Sequence, residues 1–491
     1  MTGTKQKSNL RRQVRHPRTK RNYRGVPRRL KQKFSSDPRN RAPKGAPALW
    51  ERLRGFLWSW WPWAVLAVIF AALDRWGLAI LWGFLAFLAH LASPKEFPAR
   101  YGLDHEFPVE SEEFFSSIQG ATGVSFTPGN RLEILNNGDE FYPVMLDAIR
   151  NARYSITIEA FIYWAGEVGL EFAEALAGKA REGVRVKLLL DAIGSSSIGE
   201  EILRTLESGG CQIAWFNPIR WYTLGRFNNR THRKSLIVDG RIAFTGGAGI
   251  ADHWKGDAQS PEHWRDMQIR MEGAGVVPLQ TGFAQNWVQT TGELVSGSEF
   301  YPPLDPVGEV DLQTILSSPQ TGSSAARIMY YLSIVCSRKT IYIANPYFVP
   351  DQAAIDTLID ARKRGVDVKV MISGIHNDSR LARRNSSRLY GRLLECGVEI
   401  YEYNHTMLHH KIMVVDSAWA TVGTTNFDNR SFAHNEENNV CFFDASSVKK
   451  LETTFHADLK GCDRITLEEW KRRGIWVKTQ EVVASLLQEQ V

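Results

Sequence analysis

Two stretches of the chain set a histidine and a lysine two residues apart at the mouth of an apolar run. THRKSLIVDGRIAFTGGAGIADHW, from Thr231, carries His232, Lys234 and Asp239; MLHHKIMVVDSAWATVGTTNFDNRSF, from Met407, carries His409, Lys411 and Asp416. Each reads His-x-Lys, four residues, Asp, and after six more residues a glycine, Gly246 or Gly423. Along a strand, residues i and i+2 project to the same side, so each histidine shares a face with its lysine. Brought together, two ammonium groups favour a doubly ligated anion such as a phosphodiester. They can also stabilise charge developing on phosphoryl oxygens. One neutral imidazole can attack phosphorus while the other, protonated, gives its proton to the leaving oxygen. The intermediate is a phosphohistidine, split by water or by another alcohol. The lysines supply the positive charge, so neither metal nor cofactor is expected.

A nucleophilic imidazole needs a carboxylate on its other nitrogen to fix its tautomer. HWRDMQIRMEG offers Asp266 and SFAHNEENNV offers Glu436, with Glu437 adjacent. Asp239 and Asp416 follow the strands; they are candidates for the chemistry and equally for a turn or a structural hydrogen bond. Asn426 can donate its amide to a phosphate oxygen. Gly246, Gly247, Gly423 and Thr424 complete the expected substrate-binding set, since glycine lets backbone approach closely. One His-x-Lys-x4-Asp is a weak signal, but two copies in matching surroundings are not expected by chance.

Those surroundings repeat. AREGVRVKLLLD (180–191) matches RKRGVDVKVMIS (362–373), and LESGGCQIAWFN matches LECGVEIYEYN. Each pair is a helix end, a glycine and a strand, and each precedes its motif. The duplication runs over about 130–295 and 309–470 and predicts domains over 131–300 and 305–475. Strands alternating with helices predict an α/β fold, two similar sheet-and-helix halves packed together.

The flanks differ in kind. Residues 1–50 hold sixteen Lys/Arg and one acid, while the whole chain is only +7, so the basic character belongs to this tail and the body is net acidic. The tail is predicted to be disordered. Two apolar runs, about 56–73 and 76–92, are divided by Asp74-Arg75 and carry a cluster of tryptophans at 58, 60, 61 and 63. Their lengths and the indoles predict a membrane-embedded hairpin over 51–95, with the basic tail on the cytoplasmic side. A linker is expected over 96–130 and a tail over 476–491. Five scattered cysteines without metal-ligand spacing fit reduced thiols.

The paired motifs resemble those of the phospholipase D superfamily. NPYFVPD, HRKSLIVDGRIAFTGG and LLECGVEIYEYNHTMLHHKIMVVDSAWATVGTTNFDNRSFAHNEE resemble bacterial cardiolipin synthases within it. The resemblance covers about 130–470. It implies a two-domain phospholipase D-like fold with the site at the interface, and a ping-pong phosphatidyl transfer through a histidine without metal. It implies catalytic roles for His232, Lys234, His409 and Lys411, phosphate binding by Asn426, and orientation of the histidines by Asp266 and Glu436. His232 is the expected nucleophile and His409 the acid. The chain departs from the pattern at Gly249, where the family carries an asparagine, and at Gly423-Thr424, where Gly-Ser is commoner. The expected partners are phospholipids, phosphatidylglycerol first, at a bacterial inner membrane with the catalytic domains cytoplasmic. A hydrolytic phospholipase D, a nuclease that grips phosphates with the basic tail, and a non-catalytic lipid-binding scaffold are the alternatives. The apolar hairpin and acidic body disfavour the nuclease, and both intact motifs disfavour the scaffold.

Overall fold

The computed structural model describes residues 60–91, 103, 105, 107–219, 228–319 and 325–485. The basic tail and the start of the expected hairpin lie outside the described residues. The chain divides into two compact units, Met1–Ala89 and His90–Val491.

In the first unit, helices Trp60–Ala72 and Trp76–Leu91 are joined by a turn in which Asp74 takes a left-handed φ of 59°. The Asp74 carboxylate accepts a hydrogen bond from the Trp76 indole at 3.1 Å. Trp63 stacks on Trp82 at 5.3 Å, so the two helices fold back on each other. Apolar side chains remain outward, Val68 and Ile80 about seven-tenths exposed (69% and 71%). At 1.5 Å per residue the helices are about 20 and 24 Å long, against the roughly 30 Å of a bilayer core. Among the described residues, no helix is long and apolar enough to cross a membrane.

The second unit is built on one mixed sheet of sixteen strands. Its first half supplies β1 (Thr127–Asn136), β2 (Ser155–Ala160), β3 (Arg185–Asp191), β4 (Gln212–Phe216), β5 (Arg230–Thr231), β6 (Ser235–Val238), β7 (Ile242–Gly246) and β8 (Met267–Glu272). Its second half supplies β9 (Val310–Ser317), β10 (Thr340–Ala344), then β11 (Phe348–Val349), β12 (Asp367–Ser373), β13 (Glu399–Tyr403), β14 (Lys411–Val415), β15 (Trp419–Gly423), β16 (Phe427–Asp428), β17 (Asn435–Phe442) and β18 (Cys462–Ile465). Only β11 and β16 stand apart, as a separate parallel pair. Outward from the centre the first half runs β1-β8-β7-β6-β2-β3-β4, and the second β9-β17-β15-β14-β10-β12-β13-β18. The duplication in the sequence is thus a duplication of strand order. The halves meet where β1 pairs antiparallel with β9, so they share one continuous sheet.

Helices cover both faces, which is why SLIV and IMVV, fully buried, read as unbroken apolar runs instead of alternating. Two short straps cross the seam as well. β5 pairs parallel with β17, Thr231 opposite Glu436. Arg265, just before β8, bridges to Leu408, just before β14. The described residues of both flanking segments include helices. Within 96–130, expected as linker, the helix Glu112–Thr122 buries Phe114 and Ile118 in the core of the second half. Within the expected C-terminal tail, the helix Ile475–Ser485 packs on the helix Arg380–Glu395 and is fastened there by Glu481, which accepts from Ser387 at 2.9 Å. For the first of these segments, burial of Phe114 and Ile118 offsets the cost of ordering the chain.

Candidate active site

The two straps decide where the histidines go. The backbone N–H of His232 donates to the Glu436 carbonyl at 2.9 Å, which carries the ring across the seam to β17. The N–H of His409 donates to the Arg265 carbonyl at 2.7 Å, which carries that ring to the start of β8. Each histidine therefore meets a carboxylate from the opposite half. His232 Nδ1 lies 3.0 Å from both oxygens of Glu437, and His409 Nδ1 lies 2.8 Å from Asp266 Oδ2. A carboxylate can only accept, so both Nδ1 atoms carry the proton; the Nε2 lone pair of His232 is left for chemistry, and that of His409 faces the Lys411 ammonium at 3.1 Å.

The carboxylates are themselves held. Glu437 accepts from the Thr424 hydroxyl and, at 3.2 Å, from the Asn435 amide. Asp266 accepts from the Trp254 indole at 2.7 Å and from the Met267 N–H at 2.7 Å. Aromatic rings wall the imidazoles: Phe161 stands edge-on to His232 at 5.2 Å, and Trp254 and Trp264 contact His409 at 5.4 and 5.3 Å. Lys234 Nζ donates to the His232 carbonyl at 3.0 Å; Lys411 Nζ donates to the His409 carbonyl and sits 3.1 Å from its Nε2.

Burial governs the charges here. It pushes His232 down to about 4 and His409 to about 3, with the neighbouring lysines adding to it, so both rings are neutral at neutral pH. Burial and then mutual repulsion with Lys411 lower Lys234 to about 7, and burial lowers Lys411 to about 8. Burial alone would raise Asp266 and Glu437, but the histidines and lysines around them hold both below the usual carboxylate range. The result is two ionised carboxylates, two neutral imidazoles and two cations that burial has made costly to keep. A bound phosphodiester would relieve that cost.

Three of the sequence expectations meet a different arrangement. Glu436 does not face His232; successive residues of β17 point to opposite sides, so Glu436 turns away to an ion pair with buried Arg233 at 2.8 Å and a bond from Ser318. Glu437 takes the orienting position instead. Parity along NEENN, with Asn435, Glu437 and Asn439 on one face, is the signal that separates them. Asp239 and Asp416 do not reach the chemistry. Asp239 accepts from the backbone N–H groups of Arg153, Tyr154 and Ser155, and Asp416 from those of Arg338, Lys339 and Thr340, at the far ends of their strands. A carboxylate is the only side chain that offers enough acceptor sites for three donors at once. Finally, the space beside the glycines is filled by protein. A β-carbon on Gly247 would lie 2.2 Å from Asp266 Oδ1, on Gly246 2.2 Å from the Met267 carbonyl, and on Gly423 2.3 Å from the Asn438 carbonyl. They let neighbouring strands and the orienting carboxylate close up.

Asn426 is buried, and its side-chain oxygen has no partner among the described residues. Gly249 has no room for the asparagine of the family pattern: a β-carbon would lie 2.9 Å from both Cβ and the carbonyl oxygen of Ile162.

Residues 145–254 and 333–459 match the family model described as "Cardiolipin synthase, PLD-like domain", one segment in each half. The chain is 34% identical to cardiolipin synthase 2 of Bacillus anthracis over 371 residues, 75% of this chain and 72% of that one. It is 32% identical to cardiolipin synthase of Listeria monocytogenes over 368 residues, 74% of this chain and 76% of that one. Among solved structures, phosphatidylserine synthase of Haemophilus influenzae superposes with a TM-score of 0.59 at 13% identity, over 77% of this chain and all of that one, a likeness of fold.

Proposed function

Because the chain belongs to the cardiolipin synthase family, we propose that it is a phosphatidyltransferase that makes cardiolipin from two molecules of phosphatidylglycerol and releases glycerol. The observation that carries the chemistry is the crossed pair of histidine–carboxylate contacts beside two buried lysines.

His232 Nε2 attacks phosphorus of the first lipid, the bond to the glycerol headgroup breaks, and a phosphatidyl-histidine forms. Glu437 receives the growing positive charge on the ring through Nδ1. Lys234, Lys411 and Asn426 hold the phosphoryl oxygens. The anionic phosphate raises the pKa of His409 on binding, so that His409 carries the proton it gives to the leaving glycerol oxygen. Neutral again, His409 takes the proton from the headgroup hydroxyl of the second lipid as that oxygen attacks phosphorus, and His232 leaves. One phosphodiester replaces another, so no nucleotide is consumed.

The enzyme works at a bacterial inner membrane with its catalytic unit in the cytoplasm. The paired apolar helices serve as a shallow hairpin in one leaflet; the outward Val68 and Ile80 support this. The basic tail attracts anionic headgroups on the same side.

The test is purified full-length protein in liposomes of phosphatidylglycerol alone, with chelator, beside His409→Ala. Cardiolipin and free glycerol should rise in step only with the intact histidine. Phosphatidic acid and glycerol without cardiolipin would overturn transfer in favour of hydrolysis.

A further inference from the structure

A second cationic feature lies outside the catalytic cluster. Between the helix Arg380–Glu395 and the helix Ile475–Ser485 runs a groove of about 840 Å³. Arg380, Arg383 and Arg384 line it, spaced so that a helix sets all three on one face. Arg383 shares Glu402 at 3.3 Å; Arg380 and Arg384 make no ion pair among the described residues, and no acid lines the groove. Its lips are apolar and stand in solvent. Ile375 is 61% exposed and Trp476 72%, with Ile475 beside it.

This presentation is built. The Arg473–Glu481 ion pair at 2.8 Å, the Ser387 hydroxyl on Glu481 and the Trp470 indole on the Ser387 carbonyl at 2.7 Å fasten the C-terminal segment to the arginine helix. The first turn of the last helix, with Ile475 and Trp476, is left projecting. A tryptophan with one face wet belongs to a bilayer surface, and unpaired guanidinium groups match phosphate bidentately.

We propose that this groove is a binding site for the phosphate of an anionic phospholipid still seated in the bilayer, with Trp476, Ile475 and Ile375 entering the interface beside it. Charge and shape choose that occupant: Arg380 and Arg384, without an acid among the lining residues, select an anion, and an apolar rim selects one that comes with acyl chains. The groove adjoins the catalytic mouth. Asn377 in its wall donates to the Pro346 carbonyl at 3.3 Å, the next residue, Tyr347, donates to Asp378, and the charge of Asp378 is felt at Lys411. A lipid held here fixes which face of the catalytic unit looks at the membrane. The site goes beyond the proposed reaction and does not depend on it.

Hydrogen–deuterium exchange on the full chain tests it, because a local readout is blind to membrane contact elsewhere. The protein is added to phosphatidylcholine vesicles with or without phosphatidylglycerol, and to inorganic phosphate without vesicles. Segments 375–384 and 475–482 should exchange several-fold more slowly only with phosphatidylglycerol. R380E/R384E should lose that protection while exchange in the central sheet stays as in the parent, which shows that the variant folds. Equal protection by both vesicles would overturn anion recognition, protection by inorganic phosphate alone would overturn a lipid occupant, and no protection would overturn the site. Loss of cardiolipin synthesis with this protection intact would sink the reaction and leave the groove standing.

Discussion

Glu436 and Glu437 are neighbours with opposite duties, so the same substitution at each reads out differently. Glu437→Gln keeps the shape but removes the charge that holds the His232 tautomer; kcat should fall by about 10²- to 10⁴-fold with little change in KM, as for other buried histidine–carboxylate pairs. Glu436→Gln leaves Arg233 without its buried partner, which costs about 3 kcal/mol, while turnover per folded molecule stays near that of the parent. Steady-state kinetics and denaturant unfolding of the two variants separate these outcomes. The roles of the histidines are open to a leaving-group experiment. With a p-nitrophenyl phosphatidyl ester, departure needs no proton, so His409→Asn should still give a burst of p-nitrophenol and His232→Asn none. The reverse pattern would exchange the roles. At this scale the histidines and lysines were legible because their spacing is chemistry in itself. Choosing between two adjacent glutamates needed the parity of β17, and the helix Asn429–Ala433 just before it hides where that strand begins.

The aspartates that close each motif belong to the scale of elements. Asp239 ties the start of β6's neighbour β2, and Asp416 does the same for β10, each through three backbone N–H groups. Asn in their place has one acceptor oxygen and no charge. Asp239→Asn and Asp416→Asn should each lower stability by about 1 to 3 kcal/mol and leave active-site chemistry largely intact in the molecules that fold. Unfolding curves combined with burst titration of active sites check this; a variant of full stability and no burst would return the aspartate to catalysis. Periodicity and the repeat made the α/β halves readable from the sequence. The straps were not readable: two residues at β5 and a single bridge at Arg265 carry no periodic signal, although they place both histidines. The glycines told a partial truth, since their type announced close approach but not what approaches.

On the scale of the molecule, activity and stability should slope in opposite directions with pH. In the free enzyme the lysines lose protons near 7 and 8, so kcat/KM should fall on the alkaline side. Unfolded lysines keep theirs until about 10.5, so from pH 7 to 10 the unfolded chain binds more protons and stability should rise. On the acid side the unfolded histidines charge near 6.5 but the folded ones only near 3 to 4, so stability should fall as pH drops below 6.5. Denaturant midpoints across pH, compared with Lys411→Met, test this: the variant should show a shallower alkaline rise, and an unchanged slope would refute the lysine origin. The sequence also revealed the apolar and basic flanks by composition alone, whereas the docking of the last helix hung on a few fastening contacts that no run of residues announces. The crossed carboxylates have a consequence in time. Asp266 waits for a histidine 143 residues later, and His232 for a glutamate 205 residues later. While the chain is still leaving the ribosome, its first half carries a histidine with no charge to steady it and a carboxylate with nothing to steady. The nascent protein therefore gains its reactivity only once nearly all of it has been made.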